Sequence, residues 1–410
     1  MNAPAVTLTA GSRSPLASPR DDEIRFSDWL VVAVVLAKPA VDALHQHGAV
    51  KYAYMGLLMF AAFFAYVGRR VAGTPGLSPA QARGYMHHAG LAAIYGVFLF
   101  VSLAVYRGSL TEIFKIMSPF ILFVLLAPLV GGWFVKVLGI SALLIIASNA
   151  ALLPIDAGWV YWGGVRTFKG YYFFKTDLAY AVSFATLSVA LWQRFRFTPI
   201  LIVATSLGAA QVVLSNSRLN YLLFLAVLIF IAFKGGLRLA TLLKAAALVG
   251  LVAVVVAFLF DSRRMLGFDL SDAGSFTQGR NQIWDILIQE GVMSFSATEW
   301  LFGRGLYADL MLFAENTTSG DVHNAHNEAL HLLITEGLFG LVLYGVLWLT
   351  MHQFATSAKL PSVSRGVSAF ACGLLALQSM TAVVSSYASK TWPVVFLLLA
   401  VAASSRLSRG

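Results

Sequence analysis

Apolar residues in this chain come in solid runs, not in the three-or-four spacing of a surface helix or the alternation of a half-buried strand. The run L-L-F-L-A-V-L-I-F-I-A-F at 222–233 is apolar on every side of a helix. Strands of a membrane barrel would alternate instead. About twelve segments of this kind lie at 29–45, 51–67, 86–106, 113–130, 132–153, 177–193, 198–215, 219–234, 239–260, 336–353, 365–386 and 391–406. Each approaches the roughly 20 residues that a hydrocarbon core requires. The pattern predicts an all-α integral membrane protein of about 12 transmembrane helices, with one large outer loop before the tenth. The first segment contains Lys38 and Asp42, four apart on one helix face, and the spacing predicts a neutralising pair.

The polar residues between the runs set the orientation. With the N-terminus inside, alternate loops hold Arg69, Arg70 and Arg83, then Lys136, Arg194 and Arg196, Lys234 and Arg238, and Lys359 and Arg365, and the last tail holds Arg406 and Arg409. That asymmetry is the positive-inside pattern, and it predicts both termini in the cytoplasm. Residues 1–28 read as a cytoplasmic disordered tail, since they lack the apolar core of a signal peptide. Residues 29–410 read as one polytopic domain with outer segments at 154–176 and 261–335. Outer cations gather against the topology rule at Arg166, Lys169, Lys175, Arg218, Arg263, Arg264, Arg280 and Arg304, and an anionic ligand on that face would account for them.

Composition narrows the classes. Of 410 residues 59% are hydrophobic and 12% charged, about half the charged fraction of a soluble domain. The net charge of +10 is scattered in ones and twos, not laid in a stripe, which argues against nucleic acid as a partner. Cys372 is alone, so neither a disulfide framework nor a cysteine metal site is available. The spans between 177 and 260 are nearly free of charge, whereas a transporter of lipid-linked sugars would place polar groups near the bilayer midplane.

Candidate chemistry concentrates in D-V-H-N-A-H-N-E-A-L-H at 321–331, directly before a span. His326 and His331 are five apart, which on a helix separates the rings by about 140°, so they do not share a zinc from one face. His323 and His326 would converge on a helix but supply only two ligands, and no metal site is expected. Asn324 is a candidate N-cap with Glu328 in the first turn, which puts His326 among the first helical residues. There the helix dipole disfavours imidazolium and leaves a base able to accept a proton from a hydroxyl. Arg218 opens a span from the outside. Arg280 begins T-Q-G-R-N-Q-I-W-D-I-L, whose Ile283, Trp284, Ile286 and Leu287 predict a short amphipathic helix. Two guanidinium forks beside a base suit recognition of phosphate oxygens. Trp159, Tyr161, Trp162, Tyr171 and Tyr172 fit either sugar stacking or an interfacial aromatic belt.

The run His326-Asn327, nine residues, Gly337, two residues, Gly340 resembles the signature of bacterial O-antigen ligases, a family that also holds O-antigen and exopolysaccharide polymerases. S-N-S-R-L-N (215–220), G-R-N-Q-I-W (279–284) and L-F-G-R-G-L-Y (301–307) are similar to further stretches of it. The resemblance implies inverting, metal-independent glycosyl transfer in the periplasm, without a cofactor, at the inner membrane. It makes Arg218 and Arg280 ligands of undecaprenyl pyrophosphate and His326 the catalytic residue, with His323, Asn327, His331, Arg304 and Lys169 as support. The donor is a glycan on undecaprenyl pyrophosphate. The acceptor is lipid A-core for a ligase, or a second lipid-linked glycan for a polymerase. Arg280 and Gly291 show the Arg-x10-Gly spacing of some polymerases, while G-Y-Y-F-F-K-T-D (170–177) has Thr-Asp where the family often has Pro-Asn.

Overall fold

A computed structural model describes residues 28–44, 48–71, 77, 79–106, 109–162, 165–236, 280–316, 325–357, 362–380, 382–385 and 388–407. The expected tail, the apolar segment 239–260, His323 and Asn324 lie outside the described residues.

Helices α1 (Trp29–Ala43), α2 (Gly48–Val71), α3 (Pro79–Tyr106), α4 (Leu110–Leu126), α5 (Gly132–Ala150), α6 (Lys175–Trp192), α7 (Pro199–Leu214) and α8 (Arg218–Lys234) follow the first eight apolar segments. Beyond residue 279 come three short helices, α9 (Arg280–Ile286), α10 (Ala297–Phe302) and α11 (Ala308–Glu315), and then α12 (Glu328–Thr356), α13 (Ser362–Ser379) and α14 (Ala388–Leu407). Among the described residues, three helical segments, Gln81–Tyr106, Gly132–Ala150 and Glu328–Thr356, are long and apolar enough to cross a membrane. The helix starts have local causes. Ser109 accepts the Thr111 N–H at the head of α4 (3.2 Å), and Thr198 accepts the Leu201 N–H at the head of α7 (3.3 Å), where Pro199 occupies the first helical position.

Helices α6 and α14 form the centre. Leu178 to Leu191 and Trp392 to Ala403 are almost continuously buried, packed against α4 and α5. The outward faces of α2 (Phe60, Phe63, Phe64), α3 (Val97, Phe100, Val101) and α7 (Ile202, Val203) leave large apolar side chains exposed, as lipid-facing surfaces do. Polar contacts inside the bundle include His88 Nδ1 with Thr350 Oγ1 (2.8 Å) and Trp392 Nε1–H to Ser118 Oγ (3.0 Å). The expected Lys38–Asp42 pair forms at 2.6 Å, and the Tyr172 hydroxyl also donates to Asp42 (2.9 Å).

The described residues are consistent with the all-α expectation, to which one small hairpin is added. Between α5 and α6, strands β1 (Trp159–Trp162) and β2 (Val165–Phe168) pair antiparallel, with Trp159 opposite Phe168 and Tyr161 opposite Arg166. The β-branched and aromatic residues there favour a strand, and Arg166 lies over the Trp159 ring while bonding Asp156 at 2.5 Å. Tyr172 is buried and Tyr171 half-buried, stacked on each other. Tyr161 is 74% exposed.

Candidate functional site

The heads of five helices meet at one end of the bundle, and side-chain contacts fix the arrangement. Asn220 on α8 donates to Thr176 O on α6 (3.3 Å), and Lys175 donates to Asn216 O (3.1 Å), which joins the starts of α6 and α8. The Tyr180 hydroxyl donates to Lys390 O (2.9 Å), and Lys390 Nζ faces Asp177 Oδ1, which joins the starts of α6 and α14. Glu328, the first residue of α12, is buried and accepts the N–H groups of Val384 (2.5 Å) and Ser385 (3.2 Å) ahead of α14. Trp284 on α9 donates its indole N–H to Ala325 O (2.8 Å), which brings the helix begun by Arg280 against the residue before His326.

His326 sits at a sharp corner. Its φ of +47° is left-handed, a conformation that a bulky side chain adopts only when its surroundings impose it. They do so from both sides. Ala325 is held through its carbonyl by Trp284 and through its N–H by Asp309 Oδ2 (3.1 Å). On the other side Asn327 caps α12, accepting the Leu330 N–H (3.0 Å) and donating to Met380 O (3.3 Å). The N-cap is therefore Asn327, not Asn324, and His326 precedes the helix instead of lying in its first turn. Asn327 prevails because its side chain reaches both the helix amide and the turn after α13.

His331 supports this corner from within. Its Nδ1–H donates to Asp309 Oδ2 (2.9 Å), and both groups are buried. Burial opposes the Asp309 charge, but His331 and the Ala325 N–H hold its carboxyl below the ordinary carboxylate range. His331 and Asp309 thus tie α12 and α11 to residue 325. Asp309 was invisible in the hydropathy pattern, because an acid in a short loop helix carries no signal of its own.

Arg304 is committed elsewhere. Its guanidinium donates to Glu299 Oε1 (2.8 Å), Ser294 Oγ (2.9 Å), Ser294 O (3.2 Å) and Glu290 O (3.3 Å), and it covers the Phe295 ring. It braces the outer segment around the Ser296–Glu299 capping box. Lys169 leaves β2 half-buried, its N–H bonded to Gly158 O (2.9 Å).

The glycines of the signature have a shared physical role. α12 breaks at Gly337 (φ 68°, ψ −171°), which frees two carbonyls of the preceding turn. Arg304 N–H donates to Ile334 O (2.8 Å) and Gly305 N–H to Thr335 O (3.0 Å). Gly303, itself at φ 72°, lies directly on the backbone of Thr335 and Glu336, and a side chain on either glycine would strike the other's strand of chain. Glu336 then folds over Gly340 and accepts the Tyr95 hydroxyl (2.6 Å). The G-R-G turn and the break at Gly337 are two halves of one contact.

Residues 201–345 match the O-antigen ligase family. Over that stretch the chain is similar to O-antigen ligases. No curated protein matches it. The O-antigen ligase match spans α7, α8, α9 to α11 and the first part of α12, so it contains Arg218, Arg280, His326 and the Gly303–Gly337 contact. Arg218 is the first residue of α8 and Arg280 the first of α9, both half-buried. Burial pulls the Arg280 guanidinium down from its ordinary value, the mark of a cation drawn partly out of water. The predicted amphipathic helix forms as α9, with Ile283 and the following Leu287 buried.

Lys175, Asp177, Glu328 and Lys390 are further residues of this helix-head cluster. Lys390 opens the last apolar segment from the same side as Arg218, so the charge rule that singles out Arg218 would have flagged it too.

Proposed function

We propose that this protein is a glycosyltransferase of twelve spans in the inner membrane, with both termini cytoplasmic, that moves a glycan from undecaprenyl pyrophosphate to lipid A-core at the periplasmic face. What supports the reading is that Arg218 and Arg280 open α8 and α9 and His326 lies just before α12, helices whose heads are tied together by side-chain contacts at one end of the bundle. A donor anchored by its lipid presents its pyrophosphate at headgroup depth, where these helix heads lie.

The reaction follows from the groups at hand. Arg218 and Arg280 bind the pyrophosphate oxygens and neutralise the charge that grows as the carrier leaves. The His326 imidazole accepts the proton of the acceptor hydroxyl as its oxygen attacks the anomeric carbon from the face opposite the departing pyrophosphate. The bond from anomeric carbon to phosphate oxygen breaks, undecaprenyl pyrophosphate departs and the configuration inverts. Such a leaving group needs no metal and little protonation. The corner built by Asp309, His331, Trp284 and Asn327 holds the base at a fixed angle. The Arg280-x10-Gly291 spacing supports a second reading, a polymerase that uses a lipid-linked repeat as acceptor.

Lipopolysaccharide from a deletion strain separates the two. Loss of a ligase leaves core without attached repeats while long glycan accumulates on the carrier; loss of a polymerase leaves core bearing one repeat. His326→Ala supplied in trans is expected to reach the membrane at wild-type levels and restore nothing. Full restoration by this variant overturns the reading.

A further inference from the structure

Tyr307 holds a backbone conformation that its side chain disfavours. It lies at φ 76° and ψ 0°, left-handed, directly before α11, where glycine would fit without strain. The position also rewards a short side chain that accepts a helix amide, and the Tyr307 side chain accepts none. It reaches across to α4 instead, and its hydroxyl donates to Glu112 Oε1 (3.1 Å), 195 residues earlier in the chain. Glu112 is buried, and Lys115 Nζ donates to the same oxygen at 2.5 Å, so the acceptor is fixed and charged. Such a backbone persists only when its surroundings over-determine it. Glu112 does so from one side. Gly305, at φ 94°, does so from the other, lying against the Tyr106 side chain and accepting the Ala308 N–H (3.1 Å).

What Tyr307 holds matters more than what holds it. Its carbonyl accepts the Met311 N–H (3.1 Å), so Tyr307 and α11 move as one body. Asp309 follows two residues later, and its Oδ2 accepts both the Ala325 N–H and the His331 Nδ1–H. Ala325 adjoins His326. A continuous chain of bonds therefore runs from Glu112 through Tyr307 and Asp309 to the His326 corner. Its far end is anchored in the bundle, since Ile116, Met117 and Phe120 of α4 are buried. We infer that Tyr307, through its hydroxyl bond to Glu112, is a positioning residue for glycosyl transfer: it locks α11 to α4 and so sets where the His326 corner stands. This rests on the proposed function. Glycine at 307 would relieve the backbone but leave α11 free to pivot, which is the freedom that the hydroxyl removes. Small displacements of a base slow chemistry even when they arise far from it.

The test uses the full chain in nanodiscs, with a glycan on undecaprenyl pyrophosphate as donor and lipid A-core as acceptor. It reads kcat per folded molecule and donor KM, well below the melting temperature. Tyr307→Phe deletes the hydroxyl alone, and is expected to lower kcat about tenfold while leaving donor KM unchanged, because the base is displaced and the pyrophosphate contacts are not. Glu112→Ala is expected to match it. Glu112→Gln, whose amide oxygen still accepts the hydroxyl, is expected to recover most of the loss seen in Glu112→Ala. The double variant, Tyr307→Phe with Glu112→Ala, is expected to be no slower than either single one, since both remove the same bond. If Glu112→Ala fails to fold, Tyr307→Phe decides the matter alone. A wild-type kcat in Tyr307→Phe, while His326→Ala is inactive, overturns this inference and spares the proposed function. A lowered melting temperature with kcat per folded molecule intact also overturns it, since that is a structural role. Wild-type turnover in His326→Ala sinks the proposed function and this inference with it.

Discussion

Replacing Gly337 by alanine adds one methyl group at the break in α12. The backbone there is at φ 68° and ψ −171°, a region essentially reserved for glycine, and holding alanine in it costs about 1–3 kcal/mol. The new Cβ would also lie 2.5 Å from Leu301 C, Leu301 O and Phe302 N, all backbone atoms that cannot rotate away. Relief requires α10 and the first turns of α12 to separate. That endangers the bonds from Arg304 N–H to Ile334 O and from Gly305 N–H to Thr335 O, each worth about 0.5–1.5 kcal/mol. The expected loss is roughly 2–6 kcal/mol from these two sources, together with a shift of the His326 corner that lowers transfer. Gly345→Ala is the internal control: it lies on the same helix with nothing within 4 Å of its would-be Cβ, and is expected to gain up to about 1 kcal/mol in helix propensity. Thermal unfolding of both variants in nanodiscs, beside an assay of the proposed glycan transfer, measures the contrast. Gly337→Ala melting and turning over like wild type would refute the account of the break.

Asp309→Asn removes one charge of a buried pair, and is expected to destabilise the outer segment by about 3–5 kcal/mol. Because the Asp309 carboxyl is held below its ordinary value, its contribution is present above that value and is lost as pH falls through the lowered one. The melting difference between wild type and Asp309→Asn should therefore persist at pH 6 and shrink only below about pH 4. Arg280→Lys keeps the charge but loses the fork, and single-turnover assays should place its donor affinity much nearer Arg280→Ala than wild type. Arg304→Gln should lower the melting temperature, since it releases Glu299, Ser294 and Phe295, while titration with farnesyl diphosphate gives wild-type affinity.

Hydropathy located the bundle because lipid imposes it residue by residue. It missed what tertiary contact decides. α12 begins at Glu328, eight residues before its apolar run at 336, because Asn327 caps it and Asp309 satisfies His331 in a turn that reads as polar loop. α13 stops at Ser379, short of the predicted 386, because Glu328 claims the Val384 and Ser385 amides. Arg304 resembles Arg218 and Arg280 in sequence, but only the fold reveals that Glu299 and Ser294 surround it. His326 and Arg280 were legible as chemistry without context. Their mutual placement through Trp284 and Ala325 joins residues 41 positions apart, a separation that no periodicity encodes.

The interruption of α12 also bears on how this protein tolerates a bilayer. Membranes differ in thickness and helices answer by leaning. An unbroken rod of 29 residues would swing its upper end with every such lean, and the imidazole with it. Here the ladder ends at Gly337, and the upper turns are fastened to the outer segment by the Arg304 and Gly305 amides. The lower portion follows the lipid, while the upper turns travel with the outer segment that holds Arg280 and His326.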